Sequence, residues 1–228
     1  MNDIAVYQPK HPIRIVTATA LFDGHDASIN IMRRILQGTG VEVIHLAHNR
    51  SVEEIVKAAI EEDVQGVAVS SYQGGHVEFF KFMLDLLHQQ GASHVKVFGG
   101  GGGVIVPDEI RELEGYGVSK IYTPEDGASM GLQGIINHMV EILDFSTLQQ
   151  TELDITRLSP ENSSLVAKMI TAMELSGNRA EDDMVRLQSA LLEKSSQSTI
   201  PVIGITGTGG AGKSSLTDEI ILRFLLDM

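Results

Sequence analysis

Residues 13–28 read IRIVTATALFDGHDAS, an apolar, β-branched run followed by a short loop that holds Asp23, His25 and Asp26. β-Branched residues suit a pleated, half-buried surface, so residues 13–19 are expected to form a strand. Residues 27–37 then carry apolar positions at helical spacing. The same order recurs four more times. Strands are predicted at 41–46, 66–70, 94–98 and 120–122, and helices at 52–62, 77–90, 107–114 and 128–143. In the second helix Val52, Ile55, Val56 and Ala59 share one face, with Glu53, Glu54 and Glu61 off it. Pro107 followed by Asp108 and Glu109 makes a favourable first turn, because acids suit the positive end of a helix dipole.

Five strand-then-helix units require a parallel sheet covered on both faces, an α/β fold. At this length the expected arrangement is a flavodoxin-like (Rossmann-type) doubly wound sheet with strand order 2-1-3-4-5, whose ligand site lies at the strand-order switch beside strands 1 and 3.

Composition narrows the function classes. Of 228 residues, 43% are hydrophobic and 21% charged, the balance of a globular chain. Thirty acids against seventeen Lys and Arg give a net charge of −13, which disfavours a nucleic-acid partner. No cysteine is present, so disulfides, thiolate metal sites and a Cys nucleophile are excluded. No apolar run approaches the roughly 18 residues of a membrane span, and residues 1–10 lack a signal-peptide core. A cytoplasmic protein with no membrane partner is expected.

Three loops leave neighbouring strands in the predicted order. They are 23–28, the Ser70-Ser71-Tyr72-Gln73-Gly74-Gly75-His76 stretch, and the five glycines 99–103. Each is small and Ser- or Gly-rich, whereas the exits of strands 2 and 5 (residues 47–50 and 123–125) read as ordinary turns. Consecutive glycines cost backbone entropy, which is tolerated where backbone must pass close to something. An Asp two residues from a His can fix the imidazole tautomer and leave the other nitrogen free for a metal. An alternative for this stretch is a surface turn in which Asp26 caps the next helix. The three loops together describe a deep slot lined by backbone, suited to a long, flat ligand with a tail.

This arrangement resembles the cobalamin-binding domains of adenosylcobalamin-dependent mutases and methionine synthase, whose pattern is D-x-H-x-x-G, then S-x-L, then G-G. Here it reads Asp23-x-His25-x-x-Ser28, Ser70-Ser71-Tyr72 and the glycine run, over nearly all of residues 10–145. The resemblance implies that His25 becomes the lower axial ligand of cobalt, displacing the cofactor's own base, with Asp23 holding the ring. Gly24, Asp26, Ser28, Ser70, Tyr72, Gly74 and Gly75 would complete the site. The glycine pair against the nucleotide tail would be Gly102 and Gly103, with Gly99 and Gly100 as the other option. Ser28 and Tyr72 depart from the pattern's Gly and Leu, and Tyr72 would reshape the tail pocket.

Residues 147–199 are helical and polar. Apolar stripes are expected at 162–175 (Leu165, Val166, Met169, Ile170, Met173) and 181–194 (Met184, Val185, Leu187, Leu191, Leu192). A turn at Ser176-Gly177-Asn178 would join them into a helical hairpin, read as packing faces without chemistry. From residue 200 a predicted strand leads into Gly207-Thr208-Gly209-Gly210-Ala211-Gly212-Lys213-Ser214, a full G-x-x-x-x-G-K-[ST] loop, and an apolar helix at 214–226. Such loops aim backbone N–H groups at phosphates. Lys213 would neutralise the β- and γ-phosphates and Ser214 would hold Mg²⁺, with Ser215 beside it. No second metal-binding Asp follows, and thirteen residues after Ser215 are too few to build a nucleotide-binding sheet, so a truncated G domain of a longer chain is expected.

The expected layout is thus a cobalamin-binding domain at 10–146, a helical linker at 147–199 and the start of a P-loop domain at 200–228. The linker and P-loop resemble the amino end of the G-protein chaperones that serve cobalamin mutases, which implies GTP. The order of parts resembles the fused isobutyryl-CoA mutase family. By that resemblance the whole enzyme would interconvert isobutyryl-CoA and n-butyryl-CoA by radical rearrangement, using adenosylcobalamin, GTP and Mg²⁺. The acyl-CoA would bind a mutase barrel outside this chain, in a homodimer, and this segment alone would be inactive. Alternatives are a methylmalonyl-type mutase, a methyl carrier or a non-enzymatic cobalamin carrier or sensor. A receiver domain shares the topology but needs an Asp where Ser70 and Ser71 stand.

Overall fold

The computed structural model describes residues 4–149, 153–175 and 181–227. Five βα units follow one another in the first part. They are β1 (Arg14–Thr19), α1 (Ala27–Gly38), β2 (Glu42–His45), α2 (Val52–Glu61), β3 (Gly66–Ser70), α3 (His76–Gln89), β4 (Lys96–Gly100), α4 (Pro107–Tyr116), β5 (Lys120–Tyr122) and α5 (Pro124–Leu143). The strands are all parallel in the order β2-β1-β3-β4-β5, the predicted flavodoxin-like arrangement.

Alternation along each strand separates two cores. Val16, Ala18, Val67, Val69 and Val97 pack with Ile55 of α2, Phe80 and Met83 of α3 and Leu113 of α4. Ile15, Ala68 and Phe98 face the other way, onto Leu36 of α1 and Ile136, Met139 and Leu143 of α5. Local chemistry fixes the helix starts. Ser51 and Glu54 exchange hydrogen bonds (3.2 and 2.9 Å) in a capping box that begins α2.

Three elements differ from the expectation. β4 lies two residues further along than predicted and takes in Gly99 and Gly100, which pair with Val69 and Ser70 of β3, so the loop begins at Gly101. Packing demands glycine inside this strand: a Cβ on Gly99 would stand 2.5 Å from Ile121 Cδ1 and 2.6 Å from Phe80 Cζ. α5 starts at Pro124 rather than residue 128, because Thr123 accepts from the Asp126 N–H and Asp126 accepts from the Thr123 N–H. Gly131, at φ +66°, interrupts the helix. Finally, residues 200–206 form no strand; they have no ladder partner among the described residues, and a strand without one leaves its backbone groups unpaired.

α6 (Ser163–Glu174) confirms the first helix of the expected hairpin and packs on α2. Leu165 and Met169 are buried as predicted, while Ile170 is exposed. The predicted turn at 176–178 lies outside the described residues. α6 is fastened to the amino-terminal edge of the sheet by charged groups. Arg14 donates to Glu42 (2.6 Å), to Glu174 and to Thr171 (3.1 Å), and Lys168 pairs with the buried Asp63 (3.4 Å). Thr147 also donates to Asp63 (2.6 Å). Nearby, the Asp144 carboxylate accepts from the Tyr7 hydroxyl, the Lys10 N–H and the His11 ring.

Contacts divide the chain between residues 184 and 185. α7 (Glu181–Ser196) crosses that boundary and covers the second predicted hairpin helix; the second unit continues to α8 (Lys213–Asp227). Within it the glycine loop stands directly before α8. Gly210 and Gly212 are left-handed (φ +75° and +79°), and the Lys213 ammonium donates to the carbonyls of Gly207 (2.8 Å) and Thr208 (2.7 Å). Among the described residues no helix is long and apolar enough to cross a membrane.

Candidate cofactor site at the carboxyl edge of the sheet

The loop after β1 is held from several sides. The Asp23 N–H donates to the Ala20 carbonyl (3.1 Å), the Gln73 side chain donates to the Leu21 carbonyl, and the Phe22 N–H donates to Asn49 Oδ1 (2.8 Å). The Asp23 carboxylate is fully buried. One oxygen accepts from the Tyr72 N–H (2.5 Å); the other accepts from the backbone N–H of His25 (2.8 Å) and stands 2.8 Å from His25 Nδ1. Burial by itself would raise this carboxyl, but the two backbone donors and the imidazole hold it below the ordinary carboxylate value.

A carboxylate can only accept, so Nδ1 carries the proton and Nε2 keeps its lone pair. The His25 ring is 74% exposed. This is an imidazole with one nitrogen fixed from below and the other open to a ligand. Tyr72 lies beside it, ring centroids 5.4 Å apart.

Next to the imidazole, between α1 and α5, a cavity of about 330 Å³ opens above the strand ends. That is within the roughly 300–1,000 Å³ of small-molecule pockets. Ser28 and Ser70 bring hydroxyls to it, 3.3 Å from each other. Ile29 and Met32 of α1, Phe98 and Tyr122 of the sheet, and Leu132 and Met139 of α5 make it mostly apolar. Tyr122 stacks on Phe98 (6.3 Å) and meets His138 Nδ1 through its hydroxyl (2.8 Å); burial pushes its phenol well up.

Glycine geometry explains the slot. A Cβ on Gly101 would stand 2.2 Å from the Ser71 carbonyl oxygen, and Gly102, at φ +56°, has the Tyr72 ring where its Cβ would be. Gly99, Gly100, Gly101 and Gly102 all line the cavity, whereas Gly103 lies past it, near Pro124.

The structure therefore brings Asp23, His25, Ser28, Ser70, Tyr72 and Gly102 to one edge. Gly24 lies on the same turn, with open space around it. Asp26 occupies the N-cap position of α1 without a side-chain cap bond. Gly74 and Gly75 stand at the start of α3 and do not line the cavity; Gly75 is its left-handed N-cap (φ +82°). His76 is buried, between the Gln73 carbonyl (2.9 Å) and Glu109 (3.0 Å). The strand 2 exit is no ordinary turn: Ala47 and Asn49 are left-handed (φ +63° and +59°), and Asn49 clamps the β1 loop. Asn readily adopts that conformation, the one sequence signal available there. Sequence reasoning also missed the contribution of α5 to the cavity, through its misplaced start.

Comparison with known proteins agrees with this geometry. The family described as "B12 binding domain" matches residues 13–132, and the chain belongs to that family. More particularly, it is 58% identical over 222 residues to the fused isobutyryl-CoA mutase of Geobacillus kaustophilus, covering 96% of this chain and 20% of that protein. Its identity to the fused isobutyryl-CoA mutase of Cupriavidus metallidurans is also 58%, over 227 residues, with the same two coverages. The 2-hydroxyisobutanoyl-CoA mutase small subunit of Aquincola tertiaricarbonis is 37% identical over 106 residues, covering 45% of this chain and 76% of that protein. The chain thus spans about a fifth of the length of the fused relatives.

The donor set fits a corrinoid. Among the described residues no group of three or more His, Asp or Glu could hold a bare metal ion. A cobalt already held by a macrocycle needs one protein nitrogen, and His25 Nε2 is such a donor, with an apolar cavity beside it for a tail.

Proposed function

We propose that this chain is the cobalamin-binding part of an adenosylcobalamin-dependent acyl-CoA mutase fused to a GTP-binding chaperone. The whole protein would interconvert isobutyryl-CoA and n-butyryl-CoA, with its acyl-CoA bound in a mutase barrel elsewhere, as a cytoplasmic homodimer. The observation that carries the reading is the Asp23–His25 pair, a buried carboxylate fixing one imidazole nitrogen while the other faces outward. Adenosylcobalamin, when bound, supplies radical chemistry through its cobalt–carbon bond. His25 would hold the cobalt from below, Asp23 would keep the imidazole in the coordinating tautomer, and Ser70 and Ser28 would meet the tail in the cavity.

For the nucleotide, the support is the complete G-x-x-x-x-G-K-[ST] loop before α8. Its backbone from Gly207 to Gly212 would bind phosphates, Lys213 would turn from its own loop carbonyls to the β- and γ-phosphates, and Ser214 would hold Mg²⁺. The reading of GTP rather than ATP rests on the resemblance of the helical stretch and this loop to the amino end of the G-protein chaperones that serve cobalamin mutases.

Replacement His25→Ala tests the main claim. The expected result is loss of the absorbance spectrum of histidine-ligated cobalamin with the fold intact; an unchanged spectrum rejects the ligand. In the full-length protein Lys213→Ala should weaken GTP binding severely and leave cobalamin in place.

A further inference from the structure

Phe22 stands one residue before the Asp23–His25 pair, and its placement is costly in two independent ways. The residue is 83% exposed, although its side chain is among the largest apolar groups in the chain. Its backbone is left-handed, φ +63°, a conformation that bulky L-residues rarely adopt. Neither cost is accidental to a slack loop. The preceding carbonyl is held by Gln73, the Phe22 N–H by Asn49, and the following carboxylate by Tyr72 and His25. Asn49 is itself left-handed, as is Ala47, whose carbonyl accepts from Thr19 at the end of β1 (3.0 Å). Two strained residues, Phe22 and Ala47, and a left-handed Asn49 thus fix a turn that leaves one aromatic residue exposed, three positions before the open imidazole. Strain that neighbouring bonds over-determine points to a function for the residue that bears it.

We infer that Phe22 is a binding contact for the corrin macrocycle, offered to the same face that His25 ligates, and that its strained backbone is the means of presenting it. The inference rests on the cobalamin reading above. A flat, largely apolar macrocycle coordinated through His25 must cover surface around that imidazole. An exposed phenyl ring on the same short turn loses its contact with water when it does so, and the burial contributes to affinity. Because the loop is ordered beforehand, binding need not pay for fixing it.

The test uses the 228-residue chain free of cofactor, titrated with adenosylcobalamin by absorbance, with thermal unfolding of the unliganded protein in parallel. Phe22→Ala and Phe22→Gly should each weaken binding about tenfold, equal to about 1.4 kcal/mol. Phe22→Gly should unfold at the same or a higher temperature, because glycine accepts positive φ without strain. Phe22→Tyr should bind within about twofold of the unaltered chain. Affinity that stays within twofold in the Ala and Gly variants would overturn the inference, as would a weakening matched by loss of the unliganded fold. His25→Ala in the same titration keeps the two claims apart. If its spectrum matches the unaltered chain, the cobalamin reading fails; if the spectrum changes while the Phe22 variants bind normally, only the role of Phe22 fails.

Discussion

The two ends of the sheet differ in what their side chains hold together. At the amino-terminal edge, charged and polar side chains meet partners. Arg14 joins β2 to α6, Asp63 takes Lys168 and Thr147, and Asp144 gathers the chain entering β1. At the carboxyl-terminal edge side-chain bonds from Asp23, Asn49 and Gln73 hold exposed backbone in place: Phe22, Ala47 and Asn49 are left-handed, against Asp63 alone at the other edge among the described residues, and glycines 99–102 leave an apolar cavity open. One edge is organised for cohesion. The other leaves a cavity and an exposed imidazole open on a left-handed loop, and marginal overall stability means such strain must be offset elsewhere.

The sharpest way to break this contrast is Gly101→Ala. The added methyl would press on the Ser71 carbonyl, and because that neighbour is backbone the loss should reach about 3 kcal/mol in urea unfolding. A loss below about 0.5 kcal/mol would mean that the cavity edge has slack. At the opposite edge Asp144→Asn should cost up to about 2 kcal/mol at pH 7. Burial raises the Asp144 carboxyl, but the Lys10 N–H, the His11 ring and N–H and the Tyr7 hydroxyl bring it down to about 2, below the ordinary 3.8. A depressed folded value stabilises fully above the unfolded one, so the advantage over Asn should shrink as pH falls from about 4 towards 2. A difference that persists unchanged at pH 2 would refute it.

Smaller effects sharpen the comparison. Glu174→Gln removes one exposed partner of Arg14 and should cost about 0.5 kcal/mol, falling further in high salt. His25→Ala should shift stability by less than about 0.5 kcal/mol, since Asp23 keeps both backbone donors, while the cofactor spectrum changes. A large loss of stability there would make His25 a structural group and erase the difference between the edges.

The strand order was legible because its signal is periodic: apolar β-branched runs alternate with amphipathic stretches, and each strand needs helices on both faces. The contact between Asp23 and His25 was legible because a carboxylate two residues from a histidine can reach its ring. What escaped reading depends on partners distant in sequence. Glycine carries no strand preference, so only the register with Val69 and Ile121 makes Gly99 part of β4. The left-handed turn at Phe22 is set by Asn49 across the strand order, and nothing in the identity of a phenylalanine announces it. Residues 200–206 have strand composition but no neighbour to complete a ladder, so preference alone did not decide their form.

The clasp between Arg14 and α6 redraws where this domain ends as a material object. Dividing the chain after residue 146 would strip Asp63 of its ammonium and Arg14 of Glu174, and would uncover the side of α2 on which α6 packs. A protease trimming the folded protein should therefore spare α6 itself, and the smallest self-sufficient piece carries that helix as its base, at the opposite pole from the imidazole.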